Sequence, residues 1–305
     1  MPKRIHVSIA LPTYSGGESL IHTLKSIYSQ SAYKKLHHIL VVVDGKKLSK
    51  KIRLEIQNPK LLIKYYPKRR GQAVRINNIF DLLFDDLIIL TNDDVLLDRN
   101  VVENIIQTFQ KTKADLIGCN VQPLSFSNVF TKALFTGQMV HKYIAHNWNR
   151  GNNYFTCNGR LIAVSRNLAK KIEIPKGAVN NDAFIYIFTK LHKFKYAFAK
   201  QAICYYKLPG NFSEHLQQNN RFQNSLKENK AYFSKQIYSI YNFPKSLALK
   251  SFAKSFVAHP LSTLLYIQIL LKTMKLNLTS KKFRKKAIWK TDISTKTFNK
   301  SLLVK

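Results

Sequence analysis

The stretch "LIILTNDDVLLD", residues 87–98, decides how the chain is read. Four apolar residues run into Thr91, Asn92, Asp93 and Asp94, and the sequence then turns apolar again. A continuous apolar run of this length is that of a strand buried on both faces, so the acidic pair sits where the strand leaves the core. Taken alone, the pair reads as a turn that breaks a strand and caps the next helix. The chain around it is strongly basic, with 50 Lys and Arg against 16 Asp and Glu and a formal charge of +34. Two adjacent carboxylates at a strand end therefore need a reason.

Working outward from this strand, the first half alternates strand and helix patterns. "HVSIALPTY" ends in Pro12, Thr13 and Tyr14, "HILVVVDG" ends at Asp44, and "LLIKYY" and "ADLIGCNV" are further apolar runs. Between them lie helical patterns. Ser15 to Glu18 has capping-box spacing before Leu20, Ile21, Leu24 and Ile27, "GQAVRINNIFDLLF" is amphipathic, and Asp98 is placed to cap "NVVENIIQTF". Strands and helices alternating at this spacing predict an α/β fold with a largely parallel sheet covered on both faces. Ligands of such sheets bind beyond the carboxyl ends of the strands. Thr13 and Tyr14, Asp44, and Asn92 to Asp94 converge there, which favours a site over a simple turn.

Composition limits the partners. The chain has 305 residues, 45% of them hydrophobic, enough for a large core. The charge calls for an anionic partner: nucleic acid, a phosphate-bearing substrate or an anionic membrane surface. Cys119, Cys157 and Cys204 are odd in number and far apart, which fits neither a disulfide framework nor a zinc site and points to a reducing compartment. The first apolar run reaches Pro12 too soon for a signal-peptide core. The histidines show no metal-binding spacing and read as surface or core residues, with His215 the one near a candidate site. A nucleic-acid-binding protein would explain the charge and the 12% aromatic content, but no helix-turn-helix, zinc-finger or RNP-like pattern is present.

No P-loop or G-x-G-x-x-G motif occurs. A nucleotide at this sheet edge would be held without a glycine cradle. A bare carboxylate repels phosphate, so Asp93 and Asp94 would act on a diphosphate through a divalent cation.

With these motifs, the chain resembles the family 2 inverting glycosyltransferases of the GT-A fold over roughly residues 5 to 225, as judged by pattern. "VSIALPTYSGGESLIHTLKSIYSQ" resembles the family's opening strand, nucleotide-contacting turn and first helix, which implies donor contacts at Pro12, Thr13 and Tyr14. The resemblance places Asp44 at the nucleotide base and matches Gly71 and Asn77 to the family's glycine, basic and asparagine segment. Gln72 stands where the family usually has lysine, so Arg70 or Arg75 is expected to compensate. "ILTNDDVLLD" resembles the segment bearing the D-x-D metal motif, the first acid falling on Thr91 and the second on Asp93. Metal binding, Mn2+ or Mg2+, is then expected on Asp93 with Asp94, and Asn92 beside the donor.

The second half continues the resemblance. In "VNNDAFIYIFTKL" the family's E-D pair becomes Asn181-Asp182, which makes Asp182 the expected catalytic base; read alone, it is a helix cap. Gln218, Arg221 and Phe222 resemble the Q-x-x-R-W signature of the cellulose-, chitin- and hyaluronan-synthase branch, with Phe for Trp, and imply acceptor and diphosphate contacts. The donor is expected to be a UDP-sugar, the acceptor a glycan or lipid-linked hydroxyl, and the setting polysaccharide biosynthesis of the cell envelope. The Thr91 and Asn181 departures leave a degenerate transferase scaffold as an alternative.

The expected layout is a transferase domain over residues 1–245, with a donor half to about 122 and an acceptor half over 123–245, followed by a helical extension over 246–305. In the extension, apolar stretches broken by Lys, His and Pro260 are too short to span a bilayer, and "KKFRKKAIWK" mixes basic residues with Phe283 and Trp289. This pattern suits an anionic cytoplasmic leaflet and predicts a peripheral protein on the inner face of the cell membrane.

Overall fold

The structure is a computed structural model that describes residues 5–14, 16–279 and 294–296. The first part of the chain runs β1 (Val7–Thr13), α1 (Glu18–Tyr28), β2 (Leu36–Asp44), α2 (Lys50–Glu55), β3 (Leu61–Tyr66), α3 (Gln72–Leu82), β4 (Leu87–Thr91), β5 (Val95–Leu97), α4 (Val101–Thr112) and β6 (Leu116–Pro123). The next part runs α5 (Val129–Asn147), β7 (Leu161–Ser165), α6 (Arg166–Ala169), α7 (Asn181–Leu191), β8 (Tyr196–Tyr206), α8 (Phe212–Gln223), α9 (Ser225–Phe233) and α10 (Tyr238–Tyr241). Helices α11 (Lys245–Ala258) and α12 (Pro260–Thr279) follow.

The eight strands form one sheet in the order β3-β2-β1-β4-β7-β6-β8-β5. From β3 to β4 it is parallel, with Ala10 opposite both Leu40 and Leu90. Beyond β4 it is mixed, because β7 runs antiparallel to both β4 and β6 while β8 is parallel to β6. The continuous parallel pairing expected from the sequence is thus confined to β1 to β4. The chain leaves β1 toward β2 and β3 on one side and returns to β4 on the other, which makes the β1/β4 junction the switch point where such sheets open a crevice.

Residues of each parallel strand divide between two apolar layers with a period of two. Ile9, Leu11, Val41, Val43 and Ile89 pack with Leu20, Leu24 and Ile27 of α1 and Val101 and Ile105 of α4. Ala10, Leu40, Val42, Ile88 and Leu90 pack with Ile76, Ile79 and Phe80 of α3 and Phe184 and Ile185 of α7. Burial on both faces is why these strands read as unbroken apolar runs. The expected capping box does not form at α1: the N-cap is Gly17, without a side-chain cap, and Ser15 lies outside the described residues. Asp98 likewise precedes the N-cap of α4, which is Asn100.

Helices α11 and α12 lie against α5. The Ser251 hydroxyl donates to the Val140 carbonyl at 2.9 Å, Ile269 joins the core, and Tyr266 sits over Gly137. A Cβ at Gly137 would meet the Tyr266 ring at 2.1 Å. Gly137→Ala should therefore push α12 off α5, at an overpacking cost of about 1–3 kcal/mol. In chemical denaturation the double variant with Tyr266→Ala should lose less than the two single losses added, since the second change opens the space the first needs.

Candidate functional site

On the donor side, Asp44 at the end of β2 organises the loop that leads into α3. Its carboxylate accepts from the backbone N–H groups of Arg70 (2.9 Å) and Gly71 (2.8 Å) and from Arg75 Nε (2.7 Å). Gly71 takes φ of 92°, a left-handed turn that a side chain would strain, and this aims its N–H back at Asp44. Arg75 is buried and its guanidinium is spent within the protein, on Asp44, the Lys68 carbonyl, Asn78 Oδ1 and the Tyr66 ring. Arg75 lines the site's cavity without a free hydrogen-bonding edge for phosphate, and Arg70 does not line it at all. Arg69 does, with its guanidinium 3.7 Å over the Tyr14 ring. Asn77 is also elsewhere, its amide bonding both the N–H and the carbonyl of Ile174. Arg70, Arg75 and Asn77 thus correct the sequence expectation, and Arg69 is the residue it missed.

At the end of β4, Thr91 lines the cavity but is buried, and its hydroxyl donates to the Arg160 carbonyl at 2.8 Å. Asn92 accepts from Gln72 Nε2 at 3.1 Å. Asp93 is buried and accepts from the Thr13 hydroxyl at 2.6 Å. Both of its carboxylate oxygens also accept from Lys296 Nζ, at 2.8 and 2.9 Å. A bound ammonium is a cation seated between the oxygens of this acid, so the carboxylates Asp93 and Asp94 offer the hard oxygen donors that suit a divalent metal. Lys296 was beyond sequence reasoning, being 203 residues from its partner.

On the acceptor side, Asp182 stands in the first turn of α7 behind the N-cap Asn180. Gly159 donates its backbone N–H to Oδ2 and Ala183 donates to Oδ1, each at 3.0 Å. Buried Glu228 of α9 fixes the approach, accepting from the backbone N–H groups of Val179 and Asn180 and from the Asn180 amide, which also donates to the Arg221 carbonyl. The loop carrying Asp182 is therefore tied to the helix carrying Gln218, Arg221 and Phe222.

Two cavities meet at this acid. The smaller, about 240 Å³, holds Pro12, Thr13, Tyr14, Asp44, Gly71, Asn92, Asp93, Asp94, Gln218, Arg221 and Phe222. The larger, about 470 Å³, is walled by Tyr154, Phe155, Tyr206, Tyr241, Tyr266 and Leu270. Asp182, Asn158, Arg160, Gln218 and Phe222 border both. His141, His146 and His215 line the larger cavity, and burial pulls each down from 6.5 to about 4, so they are neutral there. Burial pushes the Cys157 thiol, also in this wall, well above its ordinary range. Asp182 is the sole carboxylate among the residues lining the larger cavity.

Among the described residues one His/Asp trio gathers its ligand atoms within 4.8 Å: His6, His37 and Asp85. It lies at the amino ends of β1, β2 and β4, the opposite edge of the sheet from both cavities. Asp85 there bonds the Ser8 hydroxyl at 2.8 Å and His37 Nδ1 at 2.7 Å.

Comparison with known proteins agrees with this layout. The sequence profile of a family described as "Glycosyltransferase like family 2" matches residues 2–225. No curated protein sequence matches the chain. Among solved structures, the mannosyltransferase PcManGT from Pyrobaculum calidifontis, in complex with GDP-Man and Mn2+, superposes with a TM-score of 0.60. It is 16% identical, over 90% of this chain and 76% of the other, and the likeness is one of fold.

The two arginines flanking the Asp44 loop should separate cleanly. Arg75→Ala leaves Asp44 buried and unpaired and should cost about 3–5 kcal/mol of stability in urea denaturation. Arg69→Ala removes a partly exposed ring contact and should cost less than about 1 kcal/mol. Equal losses would mean that Arg69, too, is part of the frame.

Proposed function

The chain belongs to the glycosyltransferase-like family 2 and is a glycosyltransferase; from that premise we propose that it moves a sugar from a nucleoside diphosphate donor to an acceptor hydroxyl with inversion, Asp182 being the base. The observation that carries this reading is the position of Asp182, on the border of both cavities, while Thr13, Tyr14, Asp44 and Asp93 line only the smaller. Inversion requires the acceptor oxygen to reach the anomeric carbon from the face opposite the leaving diphosphate. A carboxylate between the two chambers can take the hydroxyl proton as that attack proceeds. The two backbone N–H groups on Asp182 hold its orientation and leave lone pairs for the acceptor.

The donor is read as a UDP-sugar in the smaller cavity. Asp44 and the Gly71 turn shape the base end, and Arg69 offers the phosphates the cation that Gln72 does not. A divalent cation, Mn2+ or Mg2+, on Asp93 and Asp94 would supply Lewis-acid neutralisation of the diphosphate. The Pyrobaculum structure, a complex with GDP-Man and Mn2+, supports both a nucleotide sugar and a metal and makes GDP-sugars part of any donor panel. The aromatic wall of the larger cavity suits stacking against a sugar ring of a glycan or lipid-linked acceptor. Gln218 and Phe222 at the border, with Arg221 in the smaller cavity, support the Q-x-x-R-W likeness.

The setting proposed is the inner face of the cell membrane. No described helix is long and apolar enough to cross a membrane. Helices α11 and α12 nevertheless present apolar side chains outward, with Leu249 at 74%, Val257 at 85% and Leu261 at 76% exposure, and Leu264, Leu271 and Met274 also exposed. An anionic lipid surface fits both this face and the charge of +34. The basic segment with Phe283 and Trp289, on which the sequence reading leaned, lies outside the described residues.

Two experiments test these readings. Asp93→Ala should lose metal-dependent donor binding, whereas Asp182→Asn should bind donor as before and lose about 10²–10⁴-fold in transfer, because an amide cannot accept the proton. Calorimetric titration with UDP- and GDP-sugars beside a transfer assay reads both, and equal loss of binding in the two variants would refute the division of roles. For the membrane, Leu261→Ser with Leu264→Ser and Leu271→Ser should abolish co-sedimentation with anionic vesicles and leave the melting temperature nearly unchanged. Undiminished co-sedimentation would remove this face from the membrane assignment.

A further inference from the structure

Lys296 belongs to a short turn, Ser294–Lys296, that reaches the donor cavity from the far end of the chain. Thr295 is buried and the Lys296 side chain is 24% exposed, so the turn is set into the cavity. The ammonium bonds both oxygens of Asp93.

Resting on the glycosyl-transfer reading above, we propose that Lys296 is a catalytic residue: its ammonium, seated on Asp93 here, turns to the donor's diphosphate when a divalent cation takes that carboxylate. Four carboxylates and five cationic side chains line the cavity. Of the cations, Arg75 is committed to Asp44 and Arg160 stands 3.9 Å over the Tyr206 ring, while Arg69, 3.7 Å over the Tyr14 ring, and Arg221 share the cavity with Lys296. Lys296 is seated on the carboxylate that a metal would take, on a flexible stem with rotatable donors. A divalent ion on Asp93 would repel the ammonium, and the anions then nearest are the phosphate oxygens. The ammonium forms hydrogen bonds to the diphosphate oxygens as the glycosidic C–O bond breaks and the leaving group gains charge. The Ser294–Lys296 turn is thereby part of the donor site.

The test is nucleotide binding by the full chain in the presence of Mn2+. Lys296→Met should weaken binding of UDP or GDP about tenfold or more, the loss expected for one hydrogen bond to a charged group, while UMP or GMP binding changes by less than about twofold. Lys296→Arg should keep most of the diphosphate affinity and shows that the segment still seats. Unchanged diphosphate affinity in Lys296→Met, or an equal loss with the monophosphate, overturns the proposal for Lys296 and leaves the enzymatic reading intact. If the unmodified protein binds no nucleoside diphosphate at all, the donor reading itself falls, and this proposal with it.

Discussion

Charge repulsion at one strand edge governs the rest of this structure. The carboxyl ends of β2 and β4 bring Asp44, Asp93 and Asp94 to a single crevice, and a diphosphate cannot enter beside bare carboxylates. The fold meets this problem differently at each acid. Asp44 is neutralised by Arg75 and by two backbone N–H groups, which turns it from a charge into a strut that shapes the loop before α3. Asp93 is answered from outside its own region, by Thr13 and by Lys296. The two acids are alike in burial and in strand position, and they are separated in role by whether their cation is locked. Arg75 is packed in the core and cannot leave Asp44. Lys296 sits at the end of a flexible stem and can leave Asp93.

On the proposed mechanism a second constraint applies: a base is useful only where both substrates arrive. Asp182 is fixed there by hydrogen bonds to backbone and not by packing. Gly159 comes from the loop before β7 and Ala183 from its own helix, while Glu228 ties the preceding residues to α8 and α9. These partners hold the carboxylate without burying it, which leaves it open to both cavities. Asn180 holds the N-cap position of α7 without a side-chain cap, and Asp182 itself accepts from the Ala183 N–H of the first turn.

The parallel core was legible because a strand covered on both faces must be apolar throughout, as β1, β2 and β4 are. Asp44 and Asp93 were legible for the same reason, since polar residues at the ends of such strands stand out. Strand β5 has three residues and pairs with β8 more than a hundred positions away, so no local pattern marks it. Side-chain direction was also hidden. Arg69, Arg70 and Arg75 are equivalent in composition, and only the turn at Gly71 decides that the first faces the cavity and the last faces Asp44. Thr91 shows the same limit. Its place after β4 resembles a metal ligand's, but the loop at Arg160 offers its hydroxyl a carbonyl, and the hydroxyl takes it.

Helix α12 inverts the usual arrangement of an outer helix. Ser262, Thr263 and Thr273 are buried, while Leu261, Leu264 and Leu271 face outward. The inward hydroxyls of Thr263 and Thr273 are satisfied by carbonyls of His259 and Ile269 one turn back, so their burial leaves no polar group unpaired. The outward leucines have no such answer in water, and an apolar medium over them would supply one. The same helix sends Tyr266 and Leu270 into the wall of the larger cavity. On the membrane-docked reading, one element then touches lipid on its outer face and the acceptor on its inner face. A lipid-linked acceptor would have the shorter path, since its chain could remain in the bilayer while its head group reaches Asp182.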